Sequence, residues 1–289
     1  MKYSLSSSGN VAVIDVSIDS REDAPGFLLM SDLHLDNKHC KRKLLKRHLD
    51  IALENGYPVL LNGDTLCLMQ GKNDKRSSKT ALRQAHIAGP YFDRVVEDAV
   101  KFLKPYAHLI YLIGEGNHEN AVRDKLEFDV LKMLVTGLRA EGSPVVQGGY
   151  GGWIVIRVTY TNHRSVFKIA YFHGAGGGGV ITKGMLTDNR LALRTEGADM
   201  IWQGHYHEFT YAIHMTQHLP SFQGEYKVKQ RVLHMLKTPT YKDEYADGSK
   251  GWHVETGKPP KPLGCALLQL TTERSVMAEK LKANVSWLQ

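Results

Sequence analysis

The chain of 289 residues has few cysteines and no long apolar segment. Its three cysteines, Cys40, Cys67 and Cys265, form no Cys-x-x-Cys pair, which argues against a disulfide framework or a zinc ribbon and favours a reducing compartment. The sequence contains no run of ~18 or more apolar residues, so it predicts no membrane span. Residues 1–20 also lack the apolar block of a secretory signal. We therefore expect a cytoplasmic protein that makes no contact with a membrane.

The sequence is also not strongly charged and contains no internal repeat. It carries 37 basic and 30 acidic residues, a net charge of +7, which favours anionic partners without identifying one. The length is sufficient for a sizeable core. We expect a single domain over residues 1–289, with a long loop insertion, rich in glycine, proline and charge, around residues 243–264.

Alternating apolar runs and helical patterns indicate an α/β fold. The runs at 27–31, 58–62, 109–113, 167–172 and 199–203 predict buried strands. Helical patterns separate the first three runs, and a third helix is expected over about 119–138. The second half is rich in strand patterns, including a hairpin through residues 161–164. The expected architecture is a four-layer α/β/β/α sandwich, in which two mixed β-sheets pack face to face between helices.

An Asp, Asn or His side chain follows each of the five predicted strands. Any one of them alone is more often a cap or a turn former. Carboxyl ends of strands are, however, where α/β sheets place their sites. We therefore expect these side chains to form one site: Asp32 and His34, Asp64, Asn117 and His118, His173, and His205 with His207.

The chemistry of this set suits two metal ions. Two carboxylates, one amide and four imidazoles without a thiolate favour two divalent cations such as Mn, Fe or Zn over Mg or Ca alone. Two such ions, ~3.5–4 Å apart, form a clamp for in-line displacement at phosphorus.

The order of the motifs resembles a known family. The segments "DLH", "GD", "GNHE", a histidine at a strand end and "GHYH", from Asp32 to His207, look like the five blocks of the calcineurin-like metallophosphoesterases. The resemblance implies a first metal held by Asp32, His34 and His207. It implies a second metal held by Asn117, His173 and His205, with Asp64 bridging the two. The family role of His118 is to stabilise the transition state or to protonate the leaving oxygen.

The resemblance implies hydrolysis of a phosphate ester by a hydroxide that bridges the metals. The substrate is expected to be a phosphodiester of nucleic acid or nucleotides, because the Asp-Arg-Gly continuation of the phosphoprotein phosphatases is missing after "GD". That gap also leaves the group that orients His118 unaccounted for. A phosphomonoesterase and a non-catalytic scaffold of the same fold are the alternatives.

Three other segments have competing interpretations. The glycine-rich loop at 174–179, with Asp199 about 20 residues on, formally matches a dinucleotide-binding motif, but the residues that follow make a poor helix start, so a flexible loop or lid is preferred. The lysines and the arginine in the 70–79 loop could contact a nucleic-acid backbone, or they could form a solvated surface loop. Aromatic residues at 241, 245 and 252 could stack on bases or pack under a loop.

Overall fold

A computed structural model describes residues 1–68, 81–87, 89–177, 179, 181–245, 252–274 and 279–289 of the chain. The helices of the described residues are α1 (Arg42–Asn55), α2 (Tyr91–Leu103), α3 (Asn117–Leu126), α4 (Val130–Ala140), α5 (Met185–Arg194) and the short α6 (Trp252–Glu255). Short 3-10 helices cover Gln84–His86 and Lys104–Leu109.

The strands of the first half are β1 (Lys2–Ser8), β2 (Val11–Ser17), β3 (Gly26–Met30), β4 (Val59–Asn62), β5 (Ile110–Gly114) and β6 (Val146–Gln147). Those of the second half are β7 (Gly151–Tyr160), β8 (His163–Phe172), β9 (Met200–Gln203), β10 (Thr210–His218), β11 (Ser221–Phe222), β12 (Glu225–Tyr226), β13 (Lys229–Lys237), β14 (Cys265–Arg274) and β15 (Glu279–Leu288).

The strands form two mixed sheets. The first has the order β15-β14-β3-β4-β5-β6, and its strands β3 to β6 run parallel. The second has the order β1-β2-β7-β8-β9-β13-β10, with β8, β9 and β13 parallel. A separate two-stranded piece pairs β11 with β12. The parallel strands matter for the site, because their carboxyl ends lie at the same edge of each sheet.

Three hydrophobic clusters define the four layers. One face of the first sheet packs on α1, α2 and α4, with Met30, Leu45 and Leu134 among the buried residues. Its other face packs against the second sheet, where Phe27 and Trp202 belong to one cluster. Residues of α5 cover the outer face of the second sheet. The chain is therefore an α/β/β/α sandwich of two mixed sheets, as the sequence predicts.

The predicted strands and the first two helices are confirmed, but the third helix is not continuous. The segment expected to form one helix over 119–138 contains α3 and α4, separated at Glu127, which has a left-handed φ of 53°. The Asp129 side chain then accepts a hydrogen bond from Lys132 N at 2.8 Å and caps α4. The chain therefore begins a new helix at the Asp129 N-cap, which the apolar periodicity of the segment does not reveal.

Several elements were not predicted. The strands β1 and β2 form an antiparallel hairpin at one edge of the second sheet, and β15 forms the outer edge of the first. The helix α5 begins directly after Gly184 in a stretch whose first residues make a poor helix start. Part of the 243–264 segment is also helical, since it contains α6. In the described residues, no helix is long and apolar enough to span a membrane.

Candidate metal centre

All eight predicted site residues lie at one rim of the sandwich. Asp32 and His34 follow β3, Asp64 follows β4, and Asn117 and His118 begin α3 after β5. From the second sheet, the residue directly after β8 is His173, and the turn after β9 carries His205 and His207. The carboxyl ends of the parallel strands of both sheets thus meet at this rim. Asp32 and His207, which are 175 positions apart in the chain, become neighbours there.

A first group of donor atoms consists of Asp32, His34 and His207. The Nε2 atoms of the two imidazoles lie 3.3 Å apart, and His207 Nε2 lies 3.2 Å from Asp32 Oδ1. Their potential ligand atoms all fall within 4.8 Å of one another. The carboxylate of Asp32 and the ring of His34 are almost completely buried.

A second group surrounds Asp64. His173 Nε2 lies 3.3 Å from Asp64 Oδ2 and also 3.3 Å from Asn117 Oδ1. His205 Nδ1 lies 2.7 Å from the same amide oxygen. Asp64 is also grouped with His34 and His118, so its carboxylate adjoins both sets of donors.

Backbone carbonyls orient two of the imidazoles. His173 Nδ1 donates to Asn62 O at 2.8 Å, and His205 Nε2 donates to Gly176 O at 2.8 Å. Because a carbonyl oxygen only accepts, each of these nitrogens carries the proton. The remaining nitrogen of each ring, His173 Nε2 and His205 Nδ1, faces the Asp64 and Asn117 oxygens. This is the outer hydrogen bonding that typically orients a metal-binding histidine.

Two buried polar atoms of the first group make no hydrogen bond of good geometry among the described residues, namely Asp32 Oδ1 and His34 Nδ1. Asp32 Oδ1 has only an ion-pair contact of 3.2 Å with His207 Nε2. A buried carboxylate oxygen with so little hydrogen bonding is unfavourable, and a cation between it and the two imidazoles would satisfy it. The donor set of oxygen and nitrogen atoms therefore fits a divalent metal such as Mn, Fe or Zn.

The electrostatics of the cluster keep its carboxylates ionised. Burial alone would raise the pKa of Asp64, but His173 and His118 hold it well below the usual range. Burial lowers the pKa of His173 while Asp64 raises it, and the net result is a pKa of about 10. Burial, together with His118, lowers the pKa of His34 well below its ordinary value. The neutral His34 ring therefore offers a lone pair.

Five of the seven proposed ligands have left-handed backbone conformations. The φ angles are 54° at Asp32, 48° at His34, 48° at Asp64, 69° at His205 and 54° at His207. Each such residue costs about 1 kcal/mol or more. If these residues continued the extended strands, alternate side chains would face the same way. The structure has turns after the strands instead, and the left-handed residues aim the side chains inward. Strain concentrated at one rim is typical of a functional site.

Glycines beside the ligands permit close packing. A Cβ at Gly116 would collide with the carboxylate and the backbone nitrogen of Asp64. A Cβ at Gly63 would collide with the ring of His173 and would lie 2.8 Å from Glu115 O. The glycines of "GD" and "GNHE" are therefore required by the approach of one motif to another.

His118 lies beside the cluster, close to two of its members, because its ligand atoms fall within 4.8 Å of those of His34 and Asp64. Its Nε2 is 3.7 Å from Asp64 Oδ2, and its backbone nitrogen donates to Asp64 Oδ1 at 3.0 Å. Its Nδ1 donates to Cys67 O at 2.6 Å. The backbone of the loop after Asp64 therefore supplies the orienting acceptor that the missing Asp-Arg-Gly left unassigned.

Two buried carboxylates support the ligand loops, and the sequence analysis gave them no role. Glu119 accepts hydrogen bonds from the backbone nitrogens of Asp64 at 3.1 Å, Leu66 at 2.8 Å and Gly116 at 3.0 Å. Asp36 accepts from the backbone nitrogens of Cys67 and, at 2.9 Å, Leu68. A signal for Glu119 was available, because a Glu at the third position of a helix can accept a hydrogen bond from the N-cap backbone nitrogen, here that of Gly116.

The glycine-rich loop contacts the cluster rather than forming a dinucleotide site. Its Gly176 carbonyl accepts from His205, and Tyr150 Oη donates to Gly174 O at 2.7 Å. The next helix begins only at Met185, so the loop does not lead directly into a helix N-terminus. The Asp199 side chain, directly before β9, accepts a hydrogen bond of 2.8 Å from Lys168 N of β8, so it is engaged within the second sheet. The described contacts of this loop are with the cluster, and the interpretation of the motif match as a coincidence stays a prediction.

The other two open interpretations have different outcomes. The basic loop at 70–79 lies outside the described residues. The Tyr241 side chain is completely buried and binds His48 Nδ1 at 2.7 Å, so it packs and is not available to stack on a base. Tyr245 is partly buried and its hydroxyl donates to Lys258 O at 2.6 Å.

Comparisons with known proteins give a fold-level likeness at most. No family model and no curated protein matches the chain. Vacuolar Protein Sorting 29 from Cryptosporidium parvum is similar at 15% identity and a TM-score of 0.35, over 92% of this chain and 99% of that one. GAP50, the anchor in the inner membrane complex of Plasmodium, is similar at 10% identity and a TM-score of 0.42, over 92% and 88%. Such values say nothing about the chemistry of the site.

Proposed function

We propose that the chain is a dinuclear metal-dependent phosphoesterase that hydrolyses phosphate esters, preferentially the phosphodiesters of nucleic acid or nucleotides. The observation that carries the proposal is the convergence at one rim of Asp32, His34 and His207 with Asp64, Asn117, His173 and His205. Asp32 Oδ1 is buried and makes no hydrogen bond of good geometry within the described part of the chain, which supports a cation at that point. The motif resemblance supports phosphoester chemistry.

The ligands have complementary roles. Asp32, His34 and His207 would hold one cation, while Asn117, His173 and His205 would hold the other, and Asp64 would contribute an oxygen to each. When bound, the two cations would supply an activated water and neutralise charge developing on the phosphoryl group. Asn117 is a neutral ligand, so by formal charge counting the site keeps about one positive charge with a hydroxide present. That charge favours an anionic ester.

His118 would serve the leaving group. Its Nδ1 proton is engaged by Cys67 O at 2.6 Å, which leaves Nε2 as the nitrogen that exchanges a proton with substrate. Nε2 lies 3.7 Å from Asp64 Oδ2, so an imidazolium there is stabilised by a carboxylate of the site. A proton held at Nε2 could then be donated to the departing oxygen.

The preference for diesters rests on the modest net charge of +7 and on the missing Asp-Arg-Gly segment. The experiment is to load the full chain with manganese and measure metal content, together with hydrolysis of bis(p-nitrophenyl) phosphate, p-nitrophenyl phosphate and labelled DNA. Two bound ions per chain and diester cleavage are expected. Cleavage of the monoester alone would shift the proposal to a phosphomonoesterase. Less than one ion per chain would favour a scaffold without catalytic activity.

A further inference from the structure

Tyr206 stands between the two histidines of the turn after β9, and its hydroxyl is bound to the glycine-rich loop. Its Oη donates to Ala175 O at 2.8 Å and accepts from Ala175 N at 3.4 Å. The side chain is 6% exposed. Tyr206 therefore binds both backbone polar groups of one loop residue and ties the loop to the turn that carries His205 and His207.

The residue before Ala175 is packed against the second group of donors. Gly174 O accepts from Tyr150 Oη at 2.7 Å, and the Tyr150 ring lies edge-on to the His173 ring, with centroids 5.6 Å apart. Gly174 has a φ of 134°, and a Cβ there would lie 2.5 Å from His205 Cβ. The loop is therefore in direct contact with two of the proposed ligands.

The residue after Ala175 sets the orientation of one of these ligands. Gly176 O accepts from His205 Nε2 at 2.8 Å, so the lone pair of His205 lies on Nδ1, 2.7 Å from Asn117 Oδ1. Two acceptor atoms that face each other at this distance are satisfied by a cation between them. Because glycine loses more conformational freedom on ordering than any other residue, the Gly176 carbonyl is a fixed acceptor only if the loop is held in place.

The ring of Tyr206 is fixed independently of its hydroxyl. Lys237 Nζ lies 5.4 Å from the centroid of the ring, and this lysine is buried and pairs with Asp188 of α5. On another side, a Cβ at Gly184 would lie 3.1 Å from the ring. A phenylalanine at position 206 would preserve these contacts and remove only the bond to the loop.

We propose that Tyr206 is a positioning residue for the second metal ion: its hydroxyl holds the glycine-rich loop so that Gly176 O fixes the His205 ring with Nδ1 facing the ion. Tyr150 acts in the same direction by holding Gly174. The inference rests on the proposed function for the metals, and it adds a role for the loop and for a residue that is not itself a ligand. Outer hydrogen bonds of this kind typically change metal affinity by about 10- to 100-fold.

The test uses the full chain with manganese alone as the probe. Free manganese is measured by its electron paramagnetic resonance during a titration, and anomalous scattering from manganese-loaded crystals assigns each ion to the first or the second group of donors. For Tyr206→Phe we expect the second ion to bind about 10-fold more weakly, because the hydroxyl acts through the loop and not on the metal. The affinity for the first ion should be unchanged, a split that a general loss of stability would not produce.

Two further tyrosine variants complete the experiment. Tyr226→Phe removes the hydroxyl of a side chain that is 72% exposed, and it should leave the affinity for both ions unchanged. Tyr150→Phe should weaken binding of the second ion, since it removes the hydrogen bond to Gly174 O. If Tyr206→Phe does not fold, Tyr150→Phe gives the same test.

An affinity for the second ion that is equal in the wild type and in the tested variant would overturn the inference and leave the metal centre intact. Equal weakening of both ions would overturn it as well, because the hydroxyl would then serve stability in general. A second ion that depends on Tyr206, in a protein that cleaves no phosphate ester, would retain this inference and overturn the proposed function. Wild-type protein that binds fewer than two ions would overturn both.

Discussion

The Nδ1 atom of His118 donates a hydrogen bond of 2.6 Å to the backbone carbonyl of Cys67. The peptide of Cys67 is itself held, because its nitrogen donates to Asp36 and its Sγ accepts from Asn37 Nδ2 at 3.3 Å. A carbonyl fixed in this way sets the ring orientation and the tautomer of His118. The chain therefore orients this histidine with a backbone carbonyl, although the Asp-Arg-Gly segment is missing.

His118→Ala should lower turnover without removing the metals. The Nδ1 atom of His118 is bound to a backbone carbonyl, and Nε2 lies 3.7 Å from Asp64 Oδ2, so in the proposed role the loss of His118 removes proton transfer and leaves the seven ligands in place. We expect a decrease of about 10²- to 10⁴-fold in kcat, the usual contribution of a general acid or base. Metal analysis and steady-state kinetics test this, with the exposed His108→Ala as the control. Loss of metal from the His118 variant would show that the residue is a ligand.

Asp64→Ala should abolish activity and reduce bound metal. Asp64 Oδ2 lies 3.3 Å from His173 Nε2, and the carboxylate adjoins both donor groups. Removing it leaves each group with one oxygen fewer and leaves the buried His173 without its carboxylate partner. Metal content and diester hydrolysis are to be measured beside Asp124→Ala, whose side chain is 61% exposed. An Asp64 variant that retained two ions per chain would contradict the bridging role.

Glu119→Gln should weaken metal binding through the loops rather than through a ligand. Glu119 accepts from three backbone nitrogens, and a glutamine amide can match only part of that set because one of its ends is a donor. We expect the free energy of unfolding to fall by about 1–3 kcal/mol, as for a buried donor left unsatisfied. Denaturant unfolding and manganese titration test this against Glu97→Gln, which changes a side chain that is 68% exposed. Unchanged stability and metal affinity would refute the positioning role.

Stability should decrease on acidification because of His48. Burial and the charge of Arg47 lower the pKa of His48 to about 4 from 6.5, so the folded protein holds the ring neutral while the unfolded chain protonates it first. The unfolded state therefore binds more protons between these pKa values, and the free energy of unfolding falls as pH decreases through that window. The buried neutral ring accepts from Tyr241 Oη at 2.7 Å.

The contribution of His48 is measured by difference. Urea unfolding of the wild type and of His48→Gln at about pH 7 and about pH 5 separates this residue from all other titrating groups. After allowance for solvent screening, the wild type should lose about 1–2 kcal/mol more than the variant over that interval. Equal losses in the two proteins would mean that the ring titrates normally in the folded state.

Much of the fold could be predicted because the local spacing of apolar residues distinguishes buried strands from helices. The buried parallel strands are continuous apolar runs, and α2 has the helical spacing of its predicted segment, so both emerge without knowledge of the partner element. The strands β1, β2 and β15 lie at or next to a sheet edge, and they escaped prediction because alternate residues are partly or fully exposed, which leaves a weaker pattern than a continuous apolar run. The division between α3 and α4 depends on one capping aspartate, Asp129, within an otherwise helical stretch.

For the candidate site, too, some features follow from the sequence and others only from the tertiary structure. The order and type of Asp32, His34, Asp64, Asn117, His118, His173, His205 and His207 are properties of the sequence, since each follows a recognisable strand. Their convergence at one rim follows from parallel strands whose carboxyl ends coincide. The left-handed turns that aim five of them inward, the Cys67 carbonyl behind His118 and the backbone hydrogen bonds of Glu119 are decided by tertiary structure. They arise from contacts between segments far apart in the chain, and such contacts have no local signature, because the free energy that stabilises them appears only when both segments are packed.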